Sequence, residues 1–61
     1  MIKLTKMDGK EFVLNAEHIQ EIEKVPETLI TLINGKKYIV LEEETIVVDK
    51  VIDYKIKIYS R

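Results

Sequence analysis

The sequence predicts a small α+β domain, an antiparallel β-sheet or barrel-like meander of about five strands followed by a C-terminal helix. Three observations predict it. Two near-identical phrases, DGKEFVL at 8–14 and NGKKYIV at 34–40, each set Gly after Asp or Asn and then run into strand-forming residues. Such pairs tolerate the positive φ that a tight hairpin turn requires. A polar stretch holding the single proline separates the two phrases. After Glu42 the apolar residues change from alternation to helical spacing, with acids at the start and Lys55, Lys57 and Arg61 at the end. That charge order complements a helix dipole.

In chain order, the first hairpin pairs strands 2–6 and 10–15. A two-residue loop would set Leu4 against Val13 and Lys3 against Leu14, mixing charged and apolar groups on both faces. A three-residue loop from Met7 to Gly9 pairs Leu4 with Phe12 and Ile2 with Leu14, collecting the four large apolar groups on one face. Gly9 then takes the left-handed position of a bulged turn. Ile19 and Ile22, three apart, suggest a short helical turn at 16–19 capped by Asn15, and a strand at 19–25 that Pro26 ends. The second hairpin pairs strands 28–33 and 36–42. Leu29 and Ile33 alternate with Ile30 and Leu32, and Tyr38 and Val40 with Ile39 and Leu41, so both faces are apolar and the register stays open. A pair apolar on both faces is expected to be central and buried on both, by the chain's own elements on one side and by a helix or a second subunit on the other.

The last element reads as a helix over 45–59. Val47, Val51, Tyr54 and Ile58 form one ridge, and Val48, Ile52, Ile56 and Tyr59 form a second beside it. Together they exceed the stripe one sheet needs, so one ridge is assigned to the chain's own strands and the other to a partner. Lys55, between the ridges, has to snorkel. The competing reading makes β-branched Ile46–Val48 and the alternating YKIKIYS a sixth strand. The candidate partner-binding residues are therefore Val48, Ile52, Ile56 and Tyr59 of the helix, with Leu29 and Ile33 of the second hairpin's outer face.

With 61 residues, the chain forms one β-rich domain over 1–61. A domain of that size buries only about 60% of its unfolded surface, so its stability is marginal. There is no cysteine to cross-link it, and the one histidine, His18, has no companions at zinc-ligand spacing. Self-association is left as the expected reinforcement, a homo-oligomer without metal or cofactor. Ten basic against eleven acidic residues give no field that draws nucleic acid or anionic lipid. No apolar run exceeds four residues, against the roughly 20 needed to span a bilayer. Met1 leads directly into strand-forming residues rather than a signal peptide. A cytoplasmic protein is expected, and the lack of cysteine agrees with a reducing compartment.

No nucleophile sits near a base. Thr5, Thr28, Thr31 and Thr45 read as strand or capping residues, Ser60 lies one residue from the end, and His18 reads as an exposed residue in the short turn. Three successive acids, Glu42–Glu44, point to different sides of the chain and start the helix. Neither glycine opens a helix, so no phosphate-cradling loop exists. Catalytic, cofactor-binding and metal residues are accordingly none, and no small-molecule substrate is expected. Lys36, Lys37 and Tyr38 are the one set that could meet RNA, but lysines beside a turn ordinarily solubilise a hairpin end, and Glu42–Glu44 offset them.

Over almost its whole length, in the opening IKLTKMDGKEFVLNAEHIQEIE, the middle PETLITLINGKKYIVLE and the tail VVDKVIDYKIKI, the chain resembles the FlbD family of small bacterial motility proteins, also called SwrD. Ile46–Val48 depart from it, standing where more acidic, helix-favouring residues are expected. The resemblance implies a cytoplasmic, non-enzymatic protein at the cytoplasmic side of the flagellar motor, helping a motor or stator component deliver torque during swarming. It brings no active site with it. A small nucleic-acid-binding regulator of motility genes is the alternative.

Overall fold

The computed structural model describes residues 1–59, so Ser60 and Arg61 lie outside the described residues. Five strands and one helix follow in order: β1 Ile2–Thr5, β2 Glu11–Leu14, a 3-10 turn Ala16–His18, β3 Ile19–Lys24, β4 Thr28–Leu32, β5 Lys37–Val40 and α1 Glu44–Tyr59. The fold is α+β, with β1–β2 as one antiparallel sheet and β3–β4–β5 as another. The sheets meet at a single bridge, Lys6 to Val40. Beside it the Leu41 N–H donates to the Thr5 carbonyl at 2.9 Å. Of the two architectures expected, the open one is found, and the strands do not close into a barrel.

The first hairpin has the expected register, Ile2 opposite Leu14 and Leu4 opposite Phe12. Its loop is Met7–Gly9: the Lys6 N–H donates to Lys10 O at 2.8 Å, and the Gly9 N–H to Lys6 O at 2.9 Å. Gly9 has φ +88°. The Asp8 carboxylate accepts from the Lys10 N–H at 3.0 Å, a local bond that favours Asp in such turns. The second hairpin repeats this atom for atom. Leu32 N–H donates to Lys36 O at 2.8 Å, Gly35 N–H to Leu32 O at 2.9 Å, Gly35 has φ +90°, and Asn34 Oδ1 accepts from Lys36 N–H at 3.0 Å. The doubled phrase is thus one turn used twice, and it sets the register the sequence left open: Leu29 opposite Ile39 and Ile30 opposite Tyr38.

Two expectations are corrected. Ile33 is the first residue of the second loop, not part of a strand, because the three-residue turn claims it as it claims Met7. Of the second hairpin only β4 is central, between β3 and β5, while β5 is the edge strand of that sheet; the chain's own elements bury one face of the pair and leave the other open. Ile30, Leu32 and Val40 join Leu4 and Val47 in the core, while Ile39 and Leu41 are exposed and Leu29 is half-buried. The cause is that the one helix packs against β1 and β3 and covers a single side of the sheets.

The helix replaces the sixth-strand alternative. Its β-branched start is weakly helical by itself, and the burial of Val47, an acidic first turn at Glu44 and Lys57 in the last turn compensate. Asn15 caps the 3-10 turn as expected, its side chain accepting from the Glu17 N–H at 3.0 Å. Across the core the rings of Phe12 and Tyr38 lie 5.2 Å apart between centroids and tilted, linking the two sheets.

Candidate interaction surface

On α1 the two ridges divide as the spacing demands. Val47 is buried and Val51, Tyr54 and Ile58 are half-buried. Val48, Ile52, Ile56 and Tyr59 are 41%, 49%, 57% and 69% exposed. All four lie about 100° or more around the helix from Val47, so the ridge faces away from the core. Its last residue is tethered, because the Tyr59 hydroxyl donates to Glu17 Oε1 at 3.0 Å. That bond, and then the Glu17 charge, hold the Tyr59 phenol above its usual range.

The second hairpin supplies a separate patch. Leu29 faces Ile39 across β4 and β5, and strand alternation puts both opposite to Ile30, which packs with Val47 in the core. The helix ridge and the hairpin face therefore lie on opposite sides of the core, and the six residues selected from sequence do not form one surface. Ile33 stands apart from Leu29 in the turn, exposed, with its N–H donated to the His18 carbonyl at 2.8 Å. Ile39 shares this face with Leu29, its partner across β4 and β5, and the apolar alternation of YIVL signals it once the register is known.

At one end of the molecule three loops converge on a groove of about 370 Å³. Met7 comes from the β1–β2 turn, Lys24 from the end of β3 with Pro26 and Glu27 from the turn after it, and Leu41 and Glu43 from the link into α1 with Glu44 at the start of the helix. Glu42, in the link into α1, ties that link to β1 and to β4. Its carboxylate accepts from the Thr5 N–H at 2.9 Å and the Thr5 hydroxyl at 2.8 Å. Its carbonyl accepts from the Thr28 hydroxyl at 2.6 Å. Burial pushes the Glu42 carboxyl up, but the two Thr5 donors, the backbone of Glu42 itself and the Lys50 charge together outweigh it, and the net result lies below the usual carboxylate value. The helix begins at Glu44, so of the three acids read as a helix start only the last lies in α1.

The chemistry-bearing side chains stay dispersed. His18 is exposed, its Nε2 lying 3.4 Å from Asn15 Nδ2. Among the described residues no group of three or more metal-capable side chains comes together, and no helix is long and apolar enough to cross a membrane. Tyr38 is half-buried, its ring packed against Phe12 and the core.

No curated protein and no solved structure matches the chain. The profile of a family described as flagellar and swarming motility proteins matches residues 1–59, which takes in both repeated turns, the Glu42 clasp and the whole of α1. The chain belongs to the FlbD family of flagellar and swarming motility proteins.

Proposed function

We propose that this protein is a non-enzymatic accessory of the flagellar motor, acting by protein–protein contact at its cytoplasmic side to support stator torque during swarming. The observation that carries the reading is the exposed ridge Val48–Ile52–Ile56–Tyr59, with four large side chains in one helical row. A row of this kind on a soluble-sized domain marks an interaction surface. In this reading the ridge of one copy covers the Leu29–Ile39 face of another. Because the two patches lie on opposite sides of the core, such a contact is heterologous and builds a ring or a filament instead of a two-fold dimer. Burial of about 800 Å² per subunit, typical of a stable interface, offsets the small core. A flagellar motor or stator component then meets the assembly.

The test removes the gene and measures single-motor torque at unchanged flagellar number. Reduced torque supports the reading. Normal torque with altered flagellar transcript levels sinks it and favours a nucleic-acid-binding regulator. Sedimentation of the purified protein examines self-association separately, and a folded monomer at tens of micromolar ends that part alone.

A further inference from the structure

We infer that the groove between Met7, Pro26 and Leu41 is a second binding site, distinct from the helix ridge, that receives a basic amphipathic peptide segment of a partner protein. The groove, at about 370 Å³, has the size of a site that takes one or two side chains. Its apolar lining is open to solvent: Met7 and Leu41 are each more than half exposed, and Pro26 is exposed. Methionine adapts its shape to what it meets, which suits a surface that grips a flexible chain.

The rim decides the chemistry of the occupant. Glu27, Glu43 and Glu44 stand against Lys24 alone, three carboxylates to one ammonium. Such a rim repels phosphate, nucleic acid and anionic lipid, and it attracts a segment in which an aliphatic or aromatic anchor is flanked by lysine or arginine. The groove is also braced by hydrogen bonds. The strand ends and the helix entry that form its walls are the segments joined by Glu42, through Thr5 on β1 and Thr28 on β4. A site already assembled loses less entropy when it is filled.

The test titrates the full-length protein into a fluorescein-labelled peptide Lys-Leu-Leu-Lys-Leu-Lys, with Glu-Leu-Leu-Glu-Leu-Glu as the control, and follows fluorescence anisotropy. The basic peptide is expected to bind saturably and to weaken as salt is raised. Glu27→Lys in the exposed turn and Leu41→Ser in the apolar lining are each expected to weaken it about tenfold, while Val13→Thr on the exposed face of β2 leaves it unchanged. Methyl NMR of Met7 follows the same titration and places the peptide independently of the variants. Equal affinity for both peptides, a Met7 resonance that does not move, or full binding by Glu27→Lys overturns the proposal. None of these outcomes bears on the helix ridge, so the two sites succeed or fail separately.

Discussion

Glu42 and Thr5 lie 37 residues apart in the chain and are bonded twice, the carboxylate accepting the Thr5 backbone N–H through one oxygen and the Thr5 hydroxyl through the other. The pair secures the entry of α1 to the end of β1, where the two sheets meet.

Replacing Glu42 by alanine leaves both Thr5 donors without this acceptor and is expected to lower stability at neutral pH by about 1–2 kcal/mol. The sign with pH follows from the depressed carboxyl. A group whose folded value lies below its unfolded value stabilises the fold above the unfolded value and loses that contribution as pH falls through the folded one. Urea melts of parent and Glu42→Ala should therefore differ at pH near 7 and converge in acid below the ordinary carboxylate range. A gap that stays constant with pH refutes the assignment.

Gly9→Val and Gly35→Val are expected to cost about 1–2 kcal/mol each and to cost the same. Both glycines have positive φ, and a Cβ at either meets nothing within 4 Å, so the penalty is backbone strain without steric clash. Asparagine at either position should be milder, since it tolerates the left-handed region. Thermal melts of the two valine variants check this, and a marked difference between them would show that the turns are not equivalent.

Val47→Ala and Val48→Ala are neighbours with opposite expectations. Val47 is fully buried, and truncating it should cost about 1.5–3 kcal/mol through lost burial and a cavity. Val48, on the exposed ridge, should change a monomer's stability by less than about 0.5 kcal/mol. Chemical denaturation at low protein concentration separates them.

Ile52→Asp is expected to leave the circular dichroism spectrum of the parent intact, because Ile52 is half exposed, and to abolish self-association and swarming together. Sedimentation velocity reads the first and a soft-agar plate the second. An oligomer that survives the substitution removes the ridge from the interface.

Legibility in the sequence followed the degeneracy of the pattern. The first hairpin could be registered because only one loop length gathers Ile2, Leu4, Phe12 and Leu14 on one face. The second resisted the same treatment, since a strand pair apolar on both faces satisfies either register. Its answer lay in turn chemistry, where Asn34 and Gly35 copy Asp8 and Gly9, and that parallel was visible in the repeated phrase. The ridges of α1 were legible because helical spacing sorts Val47 from Val48 without help from the rest of the fold. Glu42 was not, for a carboxylate beside two others gives no sign of which distant hydroxyl it will meet. Nor could spacing show that Leu29 and Ile52 end on opposite sides of the core, which depends on where the helix lies over the sheet.

The repeated turn also divides the order of folding events. Each hairpin closes a loop of three residues, so each can form on the microsecond scale from neighbours alone. The bridge of Lys6 to Val40 and the clasp of Glu42 on Thr5 join residues more than thirty positions apart, and loop-closure entropy defers such contacts. Two preformed hairpins meeting late is the sequence of events this implies. Substitutions at Thr5 should then accelerate unfolding and leave the folding rate nearly untouched, whereas substitutions at Gly9 or Gly35 should slow folding itself.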